Sequence, residues 1–293
     1  MCRLFGMTGG SEPVEATFWL LQAPDSLSAQ SRREPDGTGL GSFGADGRPV
    51  VSKQPIAAFR DREFAREAKS VRSRTFVAHV RYASTGALRL QNTHPFEQHN
   101  RLFAHNGVIE DLPALERELG DDMALVGGDT DSERFFALIT REIGRCGDVG
   151  RGIATAAGWV AEHLPVFALN LVLIGPTDLW ALRYPDTHEL YVLQRDPGGP
   201  DGTQHLEHSS PAHRIRVHSG ALADRPAVVV ASERMDDDPG WRLMGSGELL
   251  HVDHDLHCHS EEVLDHPPAR PLTLADLGEQ ARSSQAPGAP GGR

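Results

Sequence analysis

The sequence predicts an α+β protein in which helices and sheets pack in layers. Predicted helices cluster in the first half of the 293-residue chain, and predicted strands occur throughout it. This arrangement fits a layered α+β domain better than a parallel βαβ fold. No glycine-rich phosphate loop follows any predicted strand, so a nucleotide site is not indicated.

The first half of the chain alternates predicted helices with short apolar strands. Helices are predicted over Val14–Leu21, Arg62–Ser70, Asp111–Leu119, the residues opened by the capping box Thr130–Glu133, and Ile153–Leu164. Strands are predicted over Arg3–Met7, Thr75–Val80 and Leu102–Ala104. The stretch Arg32–Gly47 is rich in Gly, Asp and Pro and is predicted to be largely loop and turn.

After Pro165 the pattern changes to successive strands joined by short turns. They are predicted over Val166–Ile174, Leu179–Tyr184, Glu189–Gln194, Val228–Ala231 and Glu248–Val252. From about Pro267 the chain is rich in Pro, Ala, Gly and Ser, a composition that buries too little apolar surface to become ordered. We therefore expect one domain over residues 2–265 and a disordered tail over residues 266–293.

Composition excludes several classes of function. A net charge of −12 leaves no basic excess to neutralise phosphates, which argues against a nucleic-acid binder. No apolar stretch approaches the roughly 20 residues that span a bilayer, and no secretory signal is evident. Three cysteines without paired spacing suit a reducing cytoplasm, where thiols stay free.

The residue that matters most for function is Cys2. Its position alone says little, because a small residue there only permits removal of the initiator methionine. Once exposed as the N-terminal residue, however, Cys2 would carry an α-amino group with a pKa of about 7.7–8.0. That amine is able to act as general base for the thiol of the same residue, so nucleophile and base come together without a separate histidine.

Thiolate attack on an amide also requires donors for the oxyanion and charged groups for the substrate. Asn106 and Gly107 offer a side-chain and a backbone N–H for an oxyanion hole, although this dipeptide alone more often marks a hairpin turn. Arg81 offers a fork for a carboxylate, with Ser84 or Thr85 as further hydrogen-bonding groups, although a surface ion pair is its commoner fate. Asp131 is either the acceptor for an ammonium group or a carboxylate that only stabilises a helix N-terminus.

Six motifs in order make this set specific. They are Cys2–Gly6, Arg33–Gly39, His79–Gly86, Asn92–Phe96, Ala104–Gly107 and Gly128–Glu133. Together they resemble the class II glutamine amidotransferases, the N-terminal-cysteine members of the Ntn-hydrolase superfamily. The segment Asn92–Phe96 and the length look most like the small stand-alone branch, which includes the γ-glutamyl hydrolase of ergothioneine biosynthesis. Val229–Glu233 and Asp238–Trp241 look like closing strands of the same branch.

The resemblance implies a four-layer αββα Ntn-hydrolase sandwich and a role for each matching residue. Cys2 would be the nucleophile, and Asn106 and Gly107 would form the oxyanion hole. Arg81, with Ser84 nearby, would hold the α-carboxylate of glutamine or of a γ-glutamyl group, and Asp131 its ammonium. Arg33 would lie on the loop that covers the nucleophile. No cofactor or metal is implied.

The chain also departs from the family pattern. Glu34 stands where many members have glycine, and Thr85 stands where sugar-directed members have histidine. No synthase domain is recognisable after residue 265, so two enzymatic versions stay open. In one the chain hydrolyses a γ-glutamyl compound, and in the other it is a glutaminase that supplies ammonia to a separate synthase subunit. A catalytically silent binding module of the same fold is the third hypothesis.

A dense group of His251, His254, His257, His259 and nearby acids suggests zinc at first sight. The segment alternates like a strand, which would send neighbouring members to opposite faces. We therefore predict no metal site there.

Overall fold

The computed structural model describes residues 2–32, 36–81, 89–197 and 225–285, together with the backbone of 206–209 and 216–219. The described helices are α1 (Leu27–Gln30), α2 (Arg62–Ser70), α3 (Leu112–Leu119), α4 (Asp131–Cys146), α5 (Val149–His163) and α6 (Glu279–Gln285). Short helical turns over Phe18–Gln22, Ala58–Arg60, Leu90–Asn92 and Gly120–Leu125 supplement them.

The described strands are mostly short and alternate with these helices in the first half of the chain. They are β1 (Arg3–Thr8), β2 (Val14–Glu15), β3 (Gly37–Phe43), β4 (Pro49–Gln54), β5 (Arg72–Ser73), β6 (Thr75–Arg81), β7 (Phe96–Gln98), β8 (Arg101–Ile109), β9 (Pro165–Ile174), β10 (Leu179–Arg183), β11 (Tyr191–Arg195), β12 (Leu206–Ser209), β13 (Arg216–Ser219), β14 (Ala227–Ala231), β15 (Arg242–Leu243), β16 (Glu248–Val252), β17 (Cys258–Glu262) and β18 (Arg270–Pro271).

Two large sheets form the centre of the structure. The first has the strand order β15-β11-β14-β1-β6-β3-β4, and the second has the order β17-β16-β10-β9-β8-β7, with β18 added beside β9. A shared apolar core that includes Leu4, Val77, Ala104 and Val172 joins their inner faces. Helices cover the outer faces, so the layers are helix, sheet, sheet and helix, and the predicted αββα sandwich is confirmed.

Strand β1 lies in the middle of the first sheet, paired antiparallel with β6 and with β14. All six of its residues are buried, as its apolar sequence predicts. Helix α4 packs on the outer face of the second sheet through Phe135, Phe136, Leu138 and Ile139, which are all buried as expected. The start of β1 is thereby held by the core between the sheets, and α4 is held by the core on the outer face of the second sheet.

Three elements differ from the sequence prediction. Val14–Leu21 is not one helix, because Val14–Glu15 pairs with β5 and only Phe18–Gln22 is helical. The stretch from Gly37 to Phe43 is a buried strand between β4 and β6 rather than loop. Gly39 lets this strand pass close to the His94 carbonyl, where a Cβ would not fit. The histidine-rich segment is a hairpin of β16 and β17 rather than one strand, with His251 paired to His259.

The stretch predicted to be a disordered tail contains defined structure as far as residue 285. β18 pairs with β9, and Leu272, Leu274, Leu277 and Ala281 pack on Phe167 and Ala168. Gln285 at the end of α6 is buried, and its Oε1 atom lies 2.6 Å from His188 Nε2. The leucines supply apolar contacts that the overall Pro/Gly/Ser-rich composition conceals. None of the helices in the described ranges has the length and apolar character that crossing a bilayer requires.

Candidate active site

Cys2 directly precedes β1 and lies at the end of the first sheet where it meets the second. Its side chain is not in a disulfide, and the residue is only 7% exposed. The backbone carbonyl of Cys2 accepts a hydrogen bond from Asn106 Nδ2 at 3.1 Å. This contact connects the N-terminal residue to β8 in the opposite sheet.

Ser232 and Glu233, just after β14, hold the beginning of β1 in place. The Ser232 hydroxyl accepts the Leu4 N–H at 2.9 Å, and the Ser232 N–H donates to the Leu4 carbonyl at 3.1 Å. The buried guanidinium of Arg3 forms an ion pair with Glu233 at 2.6 Å. The segment Val229–Glu233 resembles a closing strand in the sequence, but these three anchoring contacts were not predicted.

Arg81 ends β6 beside Cys2. The register pairs Arg3 with Val80, which puts Arg81 level with Cys2 on the neighbouring strand. Burial lowers the pKa of Arg81, and the charges of Cys2, Asp36 and Asp131 oppose that shift. Arg81 is therefore a buried cation within electrostatic reach of the thiol and of two carboxylates.

Asn106 and Gly107 lie inside β8, so the hairpin-turn interpretation of this dipeptide is wrong. Asn106 pairs with Asn170 and Gly107 with Leu169 across an antiparallel ladder. Because Leu169 gives its own N–H to the Tyr184 carbonyl, the Gly107 N–H points away from β9. Only glycine fits here, since a Cβ would lie 1.8 Å from the Ala168 carbonyl oxygen.

Asp131 is the first residue of α4 and is buried. Its Oδ2 accepts the Ile109 N–H at 2.9 Å, and its Oδ1 accepts the Ser132 N–H at 2.9 Å. One bond comes from the end of β8 and the other from the helix itself. The carboxylate is therefore oriented by the strand that carries Asn106 and Gly107, and helix capping alone does not account for it.

The loop before α4 is tied to the segment Asn92–Phe96. Thr130 Oγ1 accepts the Glu133 N–H at 3.3 Å, which is half of the predicted capping box. The Glu133 carboxylate does not complete the box but accepts the Gly128 N–H at 2.6 Å. Asp129 N–H donates to Asn92 Oδ1 at 2.9 Å. Gly128 and Asp129, which lie outside the capping box, thus hold the loop in place through their backbone N–H groups.

The three buried histidines His79, His94 and His105 lie on the same strands and loop as these residues. The rings of His79 and His94 are 4.2 Å apart, and His105 contacts Ser132 Oγ through Nδ1 at 2.9 Å. His105 Nε2 lies near the Ala168 carbonyl oxygen, which is able only to accept a hydrogen bond, so Nε2 carries the ring proton. Nδ1 of His105 is then the acceptor, and the Ser132 hydroxyl donates to it. His105 thus links β8 to the first turn of α4. All three belong to motifs visible in the sequence, but no role was predicted for them.

Burial of these imidazoles makes the fold sensitive to acid. Burial, reinforced by the charge of Arg81, lowers the pKa of His79 from 6.5 to about 3. Between these two values the unfolded chain binds a proton that the folded chain does not. Stability is therefore lost as the pH falls below about 6.5, at a rate of about 1.4 kcal/mol per pH unit for one such histidine.

We expect His79→Gln to flatten the dependence of the unfolding free energy on pH below about 6.5. Urea unfolding at a series of acidic pH values measures this slope. The exposed His254→Gln makes the same substitution at the surface and is the matched control. Equal slopes for wild type and His79→Gln would contradict the burial of a neutral imidazole.

The structure brings together five of the seven predicted site residues: Cys2, Arg81, Asn106, Gly107 and Asp131. Arg33 and Ser84, like Glu34 and Thr85, lie outside the described residues. Asp36 was missed, although it belongs to the motif Arg33–Gly39. Its N–H donates to the Arg81 carbonyl at 3.1 Å, and its charge acts on the Arg81 guanidinium.

The histidine-rich hairpin is separate from these residues. His251 stacks on Trp180 with ring centroids 4.7 Å apart, and its Nε2 lies 3.0 Å from Asp178 Oδ1. Within the described ranges, no group of three or more His, Cys, Asp or Glu side chains is arranged to hold a metal ion.

Sequence comparison identifies the family to which this site belongs. A profile described as "Glutamine amidotransferases class-II" matches residues 1–269. The chain belongs to the class II glutamine amidotransferases. The resemblance carried by the six sequence motifs is thereby confirmed.

Relatives of this chain include enzymes of different length. The γ-glutamyl-hercynylcysteine sulfoxide hydrolase of Mycolicibacterium smegmatis is 30% identical over 272 residues, which cover 88% of this chain and 97% of that protein. The probable glutamine amidotransferase DUG3 of Saccharomyces cerevisiae is 29% identical, over 94% of this chain and 90% of its own. The glutamine–fructose-6-phosphate aminotransferase of Bradyrhizobium diazoefficiens is 27% identical over 94% of this chain, which spans 45% of that enzyme.

Solved structures confirm the fold. The glutamine phosphoribosylpyrophosphate amidotransferase from B. subtilis superposes with a TM-score of 0.61 at 20% identity, over 91% of this chain and 50% of its own. A class-II domain protein from Silicibacter pomeroyi superposes with a TM-score of 0.56 at 19% identity, over 89% of this chain and 99% of its own.

Proposed function

We propose that this enzyme hydrolyses the side-chain amide of glutamine or of a γ-glutamyl compound through a thioester on Cys2. The observation that carries the proposal is the convergence of one thiol, one buried cation, one buried carboxylate and two oxyanion donors at one end of the sandwich. The thiol lies at the start of β1, the cation at the end of β6 and the carboxylate at the start of α4, while β8 carries both donors. A γ-glutamyl amide requires this combination, since it presents a carbonyl at one end and a zwitterion at the other.

In the first step, removal of Met1 frees the α-amine of Cys2. The amine accepts the thiol proton, and the thiolate sulfur forms a bond to the amide carbon. With a pKa of about 7.7–8.0, an unperturbed α-amine is a suitable base near neutral pH. The burial of Cys2 limits water near the sulfur, which favours attack on a bound substrate over side reactions.

The tetrahedral intermediate carries its negative charge on the former carbonyl oxygen. One amide hydrogen of Asn106 is held by the Cys2 carbonyl, and the second is left for this oxyanion. The Gly107 N–H, which points away from β9, is the second donor. One such donor is worth about 2.7–4 kcal/mol in the transition state.

Substrate orientation falls to the two charged residues. The Arg81 guanidinium binds the α-carboxylate of the glutamyl group, and Asp131 accepts from its α-ammonium. Family likeness adds Ser84 as a further hydrogen-bonding group and Arg33 as a residue of the loop over the nucleophile.

Collapse of the intermediate breaks the C–N bond, and the amine leaves with the proton that the α-ammonium of Cys2 returns. Water then attacks the thioester, assisted by the same amine, and releases glutamate. Overall one water is consumed, and the enzyme is restored with its thiol protonated.

The fate of the released amine separates two versions of this proposal. Likeness to the γ-glutamyl-hercynylcysteine sulfoxide hydrolase extends over 97% of that relative and supports hydrolysis of a γ-glutamyl conjugate. Likeness to the aminotransferase supports ammonia delivery to a separate synthase subunit. We favour the conjugate hydrolase. Cysteines that are not joined in disulfides, as at Cys2, Cys146 and Cys258, suit a reducing compartment such as the cytoplasm.

The test compares kcat/KM for glutamine with that for a panel of γ-glutamyl amides of amino acids and amines. We expect at least one conjugate to exceed glutamine by about tenfold or more, because leaving-group contacts add binding in the transition state. Preference for glutamine over every conjugate, with activity raised by a synthase, would favour the ammonia donor instead. Absence of glutamate release from all of them would contradict the proposal itself.

A further inference from the structure

A cavity opens at the edge of the sandwich away from the catalytic residues, between the two edge strands β4 and β7. It has a volume of about 410 Å³ and is separated from β1 by β6 and β3. This volume falls within the range of small-molecule sites, about 300–1,000 Å³. None of the residues assigned to catalysis lines it, so the catalytic proposal does not explain it.

Lys53 of β4 supplies a positive charge to this cavity. It pairs with Gly39, which pairs with the inward-facing His79, so Lys53 also projects towards the space between the sheets. Its Nζ donates to the Pro95 carbonyl at 3.2 Å and lies 5.2 Å from the centroid of the Phe96 ring. An ammonium group has three donors, so two remain for a ligand. Burial lowers the pKa of Lys53, and Glu133 opposes that shift.

The position is unusual for this chain. Lysine occurs at only two places in the sequence, Lys53 and Lys69, whereas arginine serves nearly everywhere else. Lys69 is exposed on α2, where a lysine needs no explanation. Desolvating an ammonium costs free energy unless a partner compensates for it. Lys53 is partly buried at the cavity wall, so an anionic group of a ligand would compensate for its lost hydration.

Glu133 supplies a negative charge to the same cavity. It lies in the first turn of α4, and its Oε2 accepts the Gly128 N–H at 2.6 Å, which orients the carboxylate. Lys53 and Glu133 do not form a direct ion pair with each other. Lys53 donates to the Pro95 carbonyl, and Glu133 accepts from the Gly128 N–H. The two opposite charges thus face one cavity while each retains hydrogen-bonding capacity.

The rest of the wall has an apolar part and a polar part. Pro49, Val51, Pro95 and Phe96 are apolar, and Gln91, Gly127 and the exposed Glu97 complete the lining. A cation, an oriented carboxylate and an apolar part of the wall match a small zwitterion that carries an apolar side chain.

We propose that the edge cavity binds an α-amino acid with an apolar or aromatic side chain. Lys53 binds its carboxylate, Glu133 accepts from its ammonium group, and its side chain packs on Phe96 and the prolines. The site is distinct from the glutamyl site at Arg81 and Asp131, and its existence does not depend on the proposed catalytic function. Glu133 and Asp131 share the first turn of α4, so the two sites are joined through that turn.

The ligand is a free amino acid that binds as a separate molecule. The nitrogen of an amino acid in a γ-glutamyl dipeptide is part of the amide bond, so it has no ammonium group for Glu133. Lys53 is also three strands away from Cys2 across the first sheet, about 14 Å at a spacing of about 4.8 Å per strand. An amino acid whose nitrogen is held at Cys2 does not span that distance.

Binding of L-phenylalanine, measured by calorimetry on the full chain, tests the proposal. Lys53→Met is expected to weaken it by about tenfold or more, since one charge-assisted contact is lost. Glu133→Gln, which keeps an acceptor for Gly128, is expected to weaken it similarly. Lys69→Met is the matched control and should bind as wild type does. Phenethylamine and 3-phenylpropionate, each lacking one charge, should bind wild type more weakly than L-phenylalanine.

No measurable binding of L-phenylalanine to wild type would overturn the proposal. Equal affinity for wild type and Lys53→Met would overturn it as well, because the amino acid would then occupy another site such as Arg81 and Asp131. Retained glutamine hydrolysis in Lys53→Met shows that the variant is folded and that the catalytic proposal is unaffected by either outcome.

Kinetics with the same variant test whether the ligand is separate from the substrate. Lys53→Met should leave kcat/KM for both glutamine and γ-glutamyl-phenylalanine unchanged, because neither reaction uses the edge cavity. A fall of about tenfold for γ-glutamyl-phenylalanine alone would overturn the assignment of a separate ligand.

Discussion

Cys2→Ala is expected to lower kcat for glutamate release by about 10⁴-fold or more, because the thiol forms the bond to the amide carbon. The four anchoring contacts around it involve the Cys2 carbonyl, the Leu4 backbone and Arg3, and none of them uses the thiol. The variant should therefore fold. Its loss of stability should stay near 1 kcal/mol, the value of about one buried methylene-sized group.

Cys146→Ala is the matched control for this substitution. Cys146 is also not in a disulfide, but it ends α4 on the other side of the second sheet from Cys2. Steady-state assays of glutamine and γ-glutamyl amides should show wild-type activity for Cys146→Ala. Glutamate release by folded Cys2→Ala at a rate comparable to wild type would rule out Cys2 as nucleophile.

Asn106→Ala is expected to lower kcat by about 10²–10³-fold with little change in KM, because an oxyanion donor acts in the transition state and not on the bound substrate. The hydrogen bond to the Cys2 carbonyl is lost as well, at a cost of about 1 kcal/mol in stability. Steady-state kinetics and thermal unfolding of the same preparation separate these two effects.

Asn170→Ala provides the contrast, since Asn170 is the register partner of Asn106 on β9. Its side chain accepts the Tyr184 N–H at 3.0 Å and donates to the His188 carbonyl at 3.3 Å. We expect this variant to lose stability while its kcat per folded molecule stays close to wild type. A larger kcat effect at Asn170 than at Asn106 would contradict the oxyanion assignment.

Local patterns predicted the elements that their own residues determine. Thr130 and Glu133 marked the start of α4, and the apolar run at Arg3–Met7 marked β1. Family motifs then predicted which residues meet, and five of them do. These signals are visible in sequence because each depends on neighbouring residues or on a recurrent residue order.

Other features depend on contacts between distant parts of the chain. Asn106-Gly107 resembles a turn until the Ala168 carbonyl is seen to press against Gly107. Gly37–Phe43 resembles a loop because the strands that pair with it, β4 and β6, and the His94–Pro95 segment that crowds Gly39 and Gly41 lie elsewhere in the chain. The Glu133–Gly128 and Asn92–Asp129 contacts follow from the folded arrangement of two loops. No periodicity in the chain encodes such pairings.

Mass analysis of the N-terminal peptide after reaction with a glutamine-analogue diazoketone tests the central claim most directly. The account predicts a peptide that begins at Cys2, lacks Met1 and carries one covalent adduct on the Cys2 sulfur, while Cys146 and Cys258 stay unmodified. Excess glutamine should protect Cys2 from the reagent. A retained Met1 in active enzyme, or inactivation with the adduct on any other residue, would contradict Cys2 as the N-terminal nucleophile.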